Sequence, residues 1–333
     1  GSVGSMLSGG MDSGSVVAIA KDLLHDRGEG PFPTYSAVRP RGVDCPESRA
    51  IYASLKMPYL STTLVHPDDL RERYQSFISG YEEPFDSEFT FLRAIYHWAH
   101  AAGRRVVFDG VGGDLVLTEG TYVARLLRKA RFGLALSEIK GEMRHYSGGS
   151  LTALFLRYAR QAYVPNRIKQ ILRRALGRGS TESFLEYSLI SRDFADSVDI
   201  DERCSRYWKM FPFEIPSDYA VEVCDKIRPN VTNGRERYGR IAATTAIEPR
   251  DPYLDKRVVE YCSRLPGRFR QRNGWFKVIQ RDVMAGRLPD EVRWAIGKPH
   301  VGWLFGIAVT DEAIRRDSLT LAGIKGELGS YVD

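Results

Sequence analysis

The chain has 333 residues, 43% of them hydrophobic and 27% charged, with a formal net charge of +6. That length can bury the core of one large domain or two modest ones, and the balanced composition excludes a fibrous, disordered or disulfide-stapled protein. No apolar run reaches membrane-spanning length and no signal-peptide pattern appears, so no membrane partner is expected.

In chain order, Val3 to Leu7 reads as a short buried strand and Val16 to Leu24 as the helix that follows it. Between them runs Ser8-Gly9-Gly10-Met11-Asp12-Ser13-Gly14-Ser15. Its glycines let backbone N–H groups turn inward, and the helix N-terminus adds partial positive charge, so the loop suits phosphate. Ser8, Ser13 and Ser15 bring hydroxyls, while Asp12 can hold a magnesium ion against phosphate oxygens. No Gly-Lys-Ser/Thr follows at Walker spacing. The SGGxDS pattern resembles the pyrophosphate loop of the N-type ATP pyrophosphatases. A plain Gly/Ser turn before a helix is the competing reading.

Pro33 to Val38 reads as a second strand, Asp44 to Lys56 as a helix and Tyr59 to Val65 as a third strand. Apolar spacing predicts helices over 68–79 and 89–102, and Arg105 to Asp109 is a strand entering the Gly-rich turn Gly110-Val111-Gly112-Gly113-Asp114. Strands alternating with helices predict an α/β fold with a doubly wound parallel sheet, its ligand at the carboxyl ends of the strands. Both Gly-rich turns fall at such ends. From Tyr122 the pattern turns to helices with no convincing strand, broken by Pro212, Pro216, Pro229, Pro249, Pro252, Pro266 and Pro289. The expected division is an α/β core over 1–120 and a helical substrate-binding part over 121–333. Leu126, Leu127, Leu134, Leu136, Ile139 and Met143 are candidates for one apolar stripe, and Arg167 to Gly179 reads as a basic stretch ending in an exposed loop.

Residues 121–178 hold thirteen Lys/Arg and two Glu, an excess of eleven, leaving the rest of the chain near −5. An acidic partner or a merely solvated helical surface both fit such a segment. Cys45, Cys204, Cys224 and Cys262 show no CxxC or metal-ligand spacing and the six His form no HxxxH pair. Reduced thiols in a cytoplasmic enzyme are expected, and no zinc. The chain opens without Met, almost directly on a strand; Gly1-Ser2 is either native or added by cloning, and a glutaminase-like domain upstream is an expected omission.

Two further segments complete the pattern: Thr245 to Asp255, containing Glu248-Pro249-Arg250-Asp251-Pro252-Tyr253-Leu254-Asp255, and Leu288 to Lys298, Leu-Pro-Asp-Glu-Val-Arg-Trp-Ala-Ile-Gly-Lys. Together with the two Gly-rich turns, and in the same order, they resemble the synthetase domain of asparagine synthetase over roughly residues 3–303. The resemblance implies an adenine nucleotide alpha-hydrolase-like fold and a ligase that uses ATP and Mg²⁺ as cofactors, activates a carboxylate as an acyl-adenylate, releases pyrophosphate and closes an amide. Residue by residue, it implies that Ser8, Gly9, Gly10, Asp12 and Ser13 hold pyrophosphate. Asp12 and Asp114 match the metal carboxylates. Leu7, Val38 and the Asp109-Gly110 backbone match adenine and ribose contacts, and Lys298 matches the lysine that neutralises phosphate charge. Glu248, Arg250 and Asp255 fit either a structural ion network or substrate contact.

Val111 departs from the family, standing where asparagine synthetase has Glu and β-lactam synthetase has Tyr. Glu236 falls about where β-lactam synthetase places a catalytic Glu, and is the candidate general base; a helix-surface Glu among arginines is the alternative. The basic helical segment and the ending Gly297-Lys298-Pro299-His300-Val301-Gly302-Trp303 are most similar to lasso-peptide cyclases. That similarity implies a precursor peptide whose Asp or Glu side chain is joined to its own N-terminal amine, with a leader-peptide-binding protein and a protease as further partners. The alternatives are an asparagine synthetase-like amidotransferase, a β-lactam synthetase-like cyclase, and a non-catalytic nucleotide- or nucleic-acid-binding module. The set Asp12, Asp114 and Lys298 speaks against the last, and no nucleic acid is expected.

Overall fold

The computed structural model describes residues 2–43, 46–71, 73, 89–118, 120–146, 149–165, 168, 190–210, 219–226, 229–297 and 301–316. Lys298, the basic stretch 169–179 and much of the expected 68–79 helix lie outside the described residues.

Five parallel strands form the central sheet: β1 (Val3–Met6), β2 (Phe32–Ala37), β3 (Leu60–Val65), β4 (Val106–Phe108) and β5 (Glu248–Arg250), in the order β3-β2-β1-β4-β5. Side chains alternate between its faces, as strand geometry requires. Met6 and Val107 enter one cluster, Leu7 and Phe108 the other. On the second face lie α1 (Met11–Asp26) and α2 (Pro46–Ser54), burying Val17, Ala18 and Ala53 with Met284, Leu288 and Val292. On the first face lies α3 (Thr90–Ala101), whose Leu92, Ile95, Tyr96 and Ala99 follow the i, i+3, i+4, i+7 spacing of one helix face. Each fully buried side chain of this size contributes roughly 1.5–3 kcal/mol. Polar residues inside the sheet are paired: the Ser36 hydroxyl donates to the Leu7 carbonyl at 2.6 Å, and the Thr34 and Thr62 hydroxyls meet at 2.6 Å.

Beyond β4 come α4 (Gly113–Leu117), then α5 (Tyr122–Arg128), α6 (Phe132–His145) and α7 (Leu151–Tyr163), which pack together around Val123, Leu127, Ala135, Ile139 and Tyr158. The expected stripe is corrected here. Leu134 and Leu136 are exposed, and the inward face of α6 carries Ala135, Glu138, Ile139 and Glu142. The Glu142 carboxylate accepts from the Tyr158 hydroxyl at 2.5 Å and from Arg157 at 2.6 Å, so burial leaves it partnered. Next follow α8 (Arg192–Ser197), α9 (Ile200–Met210), α10 (Tyr219–Lys226) and α11 (Pro229–Ala243).

The chain then returns to the sheet. β5 pairs with β4, Pro249 opposite Val107, so residues beyond 121 are not wholly helical and the boundary at 120 cuts through a shared sheet. A proline fits because β5 is an edge strand, where a missing N–H breaks no ladder. The remainder comprises α12 (Lys256–Arg264), α13 (Gly267–Arg270), a hairpin of β6 (Gln271–Arg272) and β7 (Trp275–Phe276), then α14 (Val278–Val283), α15 (Asp290–Arg293) and α16 (Gly302–Arg315). Phe305, Val309 and Ala313 of α16 pack on α3. Among the described residues no helix is long and apolar enough to cross a membrane, and Cys204 and Cys262 are free.

Candidate active site

The strand order reverses direction between β1 and β4, and in open α/β sheets ligands bind at that switch point, outside the carboxyl ends. The loops after both strands meet there and line a cavity of about 1340 Å³. Its wall includes Leu7, Ser8, Gly9, Gly10, Asp12 and Ser13 from one loop, and Asp109, Gly110, Val111 and Asp114 from the other. Val38 does not reach it; fully buried, it donates its N–H to the Val65 carbonyl at 3.0 Å, and Ala37 lines the cavity instead.

Glycine is what lets the two loops touch. A Cβ on Gly110 would lie 2.5 Å from the Ser13 nitrogen, and one on Gly113 would lie 2.6 Å from the Asp12 carboxyl carbon. Inside the first loop the Ser13 hydroxyl accepts from the Ser8 N–H at 3.1 Å and meets the Ser8 hydroxyl at 2.8 Å. The 16-residue helix α1 starts within this stretch, with Gly10 as its N-cap, so its first turn, Met11 to Ser13, lines the cavity.

At the centre stands a residue absent from the sequence expectations. The Lys277 ammonium lies 2.6 Å from both Asp12 carboxylate oxygens and 2.6 Å from Asp114 Oδ1. Lys277 is buried and holds a left-handed backbone, φ 57°, at the junction of β7 and α14. The hairpin that delivers it turns at Asn273-Gly274, both at positive φ. The Glu138 carboxylate clamps that turn, accepting from the Asn273 and Gly274 N–H groups at 3.0 and 2.9 Å. An Asn-Gly pair followed by Trp275-Phe276 is the sequence signal that marks this hairpin.

Asp12 and Asp114 converge on one cation, and such a pair of hard oxygen donors fits Mg²⁺, which completes its shell with phosphate oxygens and water. Among the described residues no group of three or more His, Cys, Asp or Glu forms a metal site by itself.

The third motif acts by position. The Tyr253 hydroxyl donates to the Asp12 carbonyl at 3.3 Å, and Leu254 packs on Gly112, where a Cβ would come within 2.6 Å. Gln280 bonds both Ser15 Oγ and the Tyr253 hydroxyl, at 2.9 and 2.6 Å. Glu248 and Arg250 form an exposed pair at 2.5 Å, and Asp255 caps α12 through the Arg257 N–H, so none of the three lines the cavity. From the fourth motif, Leu288 and Val292 pack under α1 and Val292, Ala295 and Gly297 reach the cavity wall.

Glu236 is corrected too. Its side chain is 60% exposed, 3.9 Å from Arg240 one turn on, and lies outside the cavity lining. Its neighbour Arg235 faces in, 2.7 Å from Asp251 and 3.5 Å from Asp109, with its guanidinium 4.4 Å from the centre of the Tyr238 ring. Burial, then the charge of Asp251, pushes the Asp109 carboxyl up to about 7. Of the basic segment, Tyr146 lines the wall but none of its described Lys or Arg residues does: Arg125 is paired with Glu222 and Arg128 donates to the Ala162 carbonyl.

The family model for asparagine synthase matches residues 1–302. The chain belongs to the asparagine synthase family. It is accordingly an ATP-dependent ligase that forms carbon–nitrogen bonds. No curated protein matches the chain closely enough to be named as a relative.

Proposed function

We propose that this ligase adenylates the side-chain carboxylate of an Asp or Glu within a peptide and joins it to that peptide's N-terminal amine, closing a macrolactam. The observation that carries this reading is the cavity. At about 1340 Å³ it exceeds the roughly 300–1,000 Å³ typical of small-ligand pockets, and from the phosphate loops it extends along Phe91, Ile95, Trp303 and Ile307. An aspartate and a nucleotide need no such apolar extension, whereas a folded-back peptide segment does. Val111 supports the same direction, because the Glu of the ammonia-using relatives is missing from that wall.

In this reading ATP is a co-substrate. Ser8, Ser13 and the α1 amides hold its phosphates, Asp12 and Asp114 hold Mg²⁺, and Lys277 supplies a fixed positive charge beside them. When bound, Mg²⁺ draws charge off the phosphate oxygens. Lys298 is assigned the neutralisation of departing pyrophosphate. A leader-binding protein and a protease remain the proposed partners.

The test is incubation with ATP and acidic peptides from neighbouring genes. The expected products are AMP, pyrophosphate and a peptide lighter by one water. Asparagine made from free aspartate and ammonia, with no cyclic peptide, would transfer the assignment to the amidotransferase reading. ADP as the product would overturn both.

A further inference from the structure

The residues assigned so far activate a carboxylate, and none of them is assigned to accept a proton from the attacking amine. Val111 has no titratable side chain, and Glu236 lies outside the cavity. A different carboxylate is built into the wall. Asp109 directly follows β4, is 3% exposed and uses one oxygen to accept the Val111 N–H at 2.7 Å. Its other oxygen faces Arg235 at 3.5 Å, and Arg235 also holds Asp251 at 2.7 Å. Arg235 thus holds the two carboxylates side by side, and the charge of Asp251 adds to burial in raising the Asp109 carboxyl. Every element packed here contributes a titratable or charged group: Tyr96 from α3, Arg235 and Tyr238 from α11, and Asp251 from the turn after β5. The Tyr96 hydroxyl is fully buried, feels both carboxylates, and has no hydrogen-bond partner among the described residues. A buried hydroxyl left open beside two carboxylates marks a place built for more than packing.

We infer that Asp109 is the general base of amide formation, with Asp251 and Arg235 as its positioning residues. This rests on the ligase reading above. In the step, the amine nitrogen bonds to the acyl carbon, the bond from that carbon to the AMP oxygen breaks, and one amine proton passes to Asp109. AMP leaves carrying the electron pair, so charge and atoms balance. A carboxyl that titrates near neutrality is suited to such a transfer, since it is basic enough to accept and is ionised at working pH.

Three measurements test this. In Asp109→Asn, pyrophosphate exchange and capture of the activated acyl group by hydroxylamine should persist, because hydroxylamine needs no base. Amide formation should fall about 10²–10⁴-fold, the usual worth of a general base. In Asp251→Asn the acid limb of the amide-forming rate should move to lower pH, since a neighbouring negative charge has been removed. In the protein without substrates, an infrared carboxyl band should titrate near neutral pH and vanish in Asp109→Asn. Equal loss of exchange and amide formation in Asp109→Asn, amide formation at the wild-type rate, or the absence of the titrating band would each overturn the inference. Failure of the wild-type chain to accept any acidic peptide would count against the peptide reading alone, because the infrared band is read without one.

Discussion

At the scale of single residues, neighbours along one helix had different fates. Successive residues on an α-helix are separated by about 100°, so Arg235 enters the cavity while Glu236 meets solvent. A loose motif match one position off therefore selects the wrong side chain. The loops were legible because Gly-Gly and Asp state their own geometry. Lys277 was not, because its importance comes from a hairpin that brings it to Asp12 from 265 positions away. Replacing Lys277 by Met should cut turnover by about 10²–10³, the worth of one preorganised charge-stabilising group. It should also lower Tm by leaving Asp12 uncompensated, though by less than the roughly 3–5 kcal/mol of a fully buried pair, since Asp114 is half exposed. Added Mg²⁺ should raise Tm more in this variant than in the wild type, measured by thermal melts with and without chelator. Asp109 makes a separate prediction. Its folded carboxyl keeps a proton up to about 7 that the unfolded chain releases near the ordinary carboxyl value of about 3.9. Stability from this group is complete below that lower value and declines as pH rises toward 7. Melts of Asp109→Asn across that window should be flatter than those of the wild type.

At the scale of elements, strand and helix order was readable from period and turn chemistry, whereas β5 was not. Glu-Pro-Arg carries no apolar alternation, and its place in the sheet is decided by β4. The hairpin of β6 and β7 depends on a comparable tertiary contact. A Cβ on Gly141 of α6 would come within 2.0 Å of the Asn273 carbonyl oxygen. Gly141→Ala should push the hairpin off α6, cost about 1–3 kcal/mol by overpacking, and reduce turnover through misplaced Lys277. Thermal melts and steady-state kinetics read the two effects. Gly133→Ala is the control, because its Cβ would enter open space on the same helix.

At the scale of the whole molecule, the helical part is tied to the site by a buried junction. Glu222 of α10 accepts from the Gly120 N–H at 2.8 Å and the Thr121 hydroxyl at 2.5 Å, and pairs with Arg125 at 3.1 Å. Glu222→Ala removes the carboxylate that compensates that buried arginine and should cost about 3–5 kcal/mol in denaturant melts. The described Lys and Arg residues of the basic segment, by contrast, do not line the cavity wall. Reversing Lys129 and Arg131 should raise KM for an acidic peptide at low salt only, since screening acts over about 8 Å at physiological ionic strength. Turnover at saturation should not change. The return of β5 to the sheet also sets a timetable for biosynthesis. β4 emerges from the ribosome roughly 140 residues before its edge partner is made, an interval on the order of ten seconds at ordinary synthesis rates. Throughout it the nascent sheet ends in an unpaired edge of the kind that recruits other chains. Chaperone supply in that interval, more than the final stability of the enzyme, should then govern how much active protein a cell recovers.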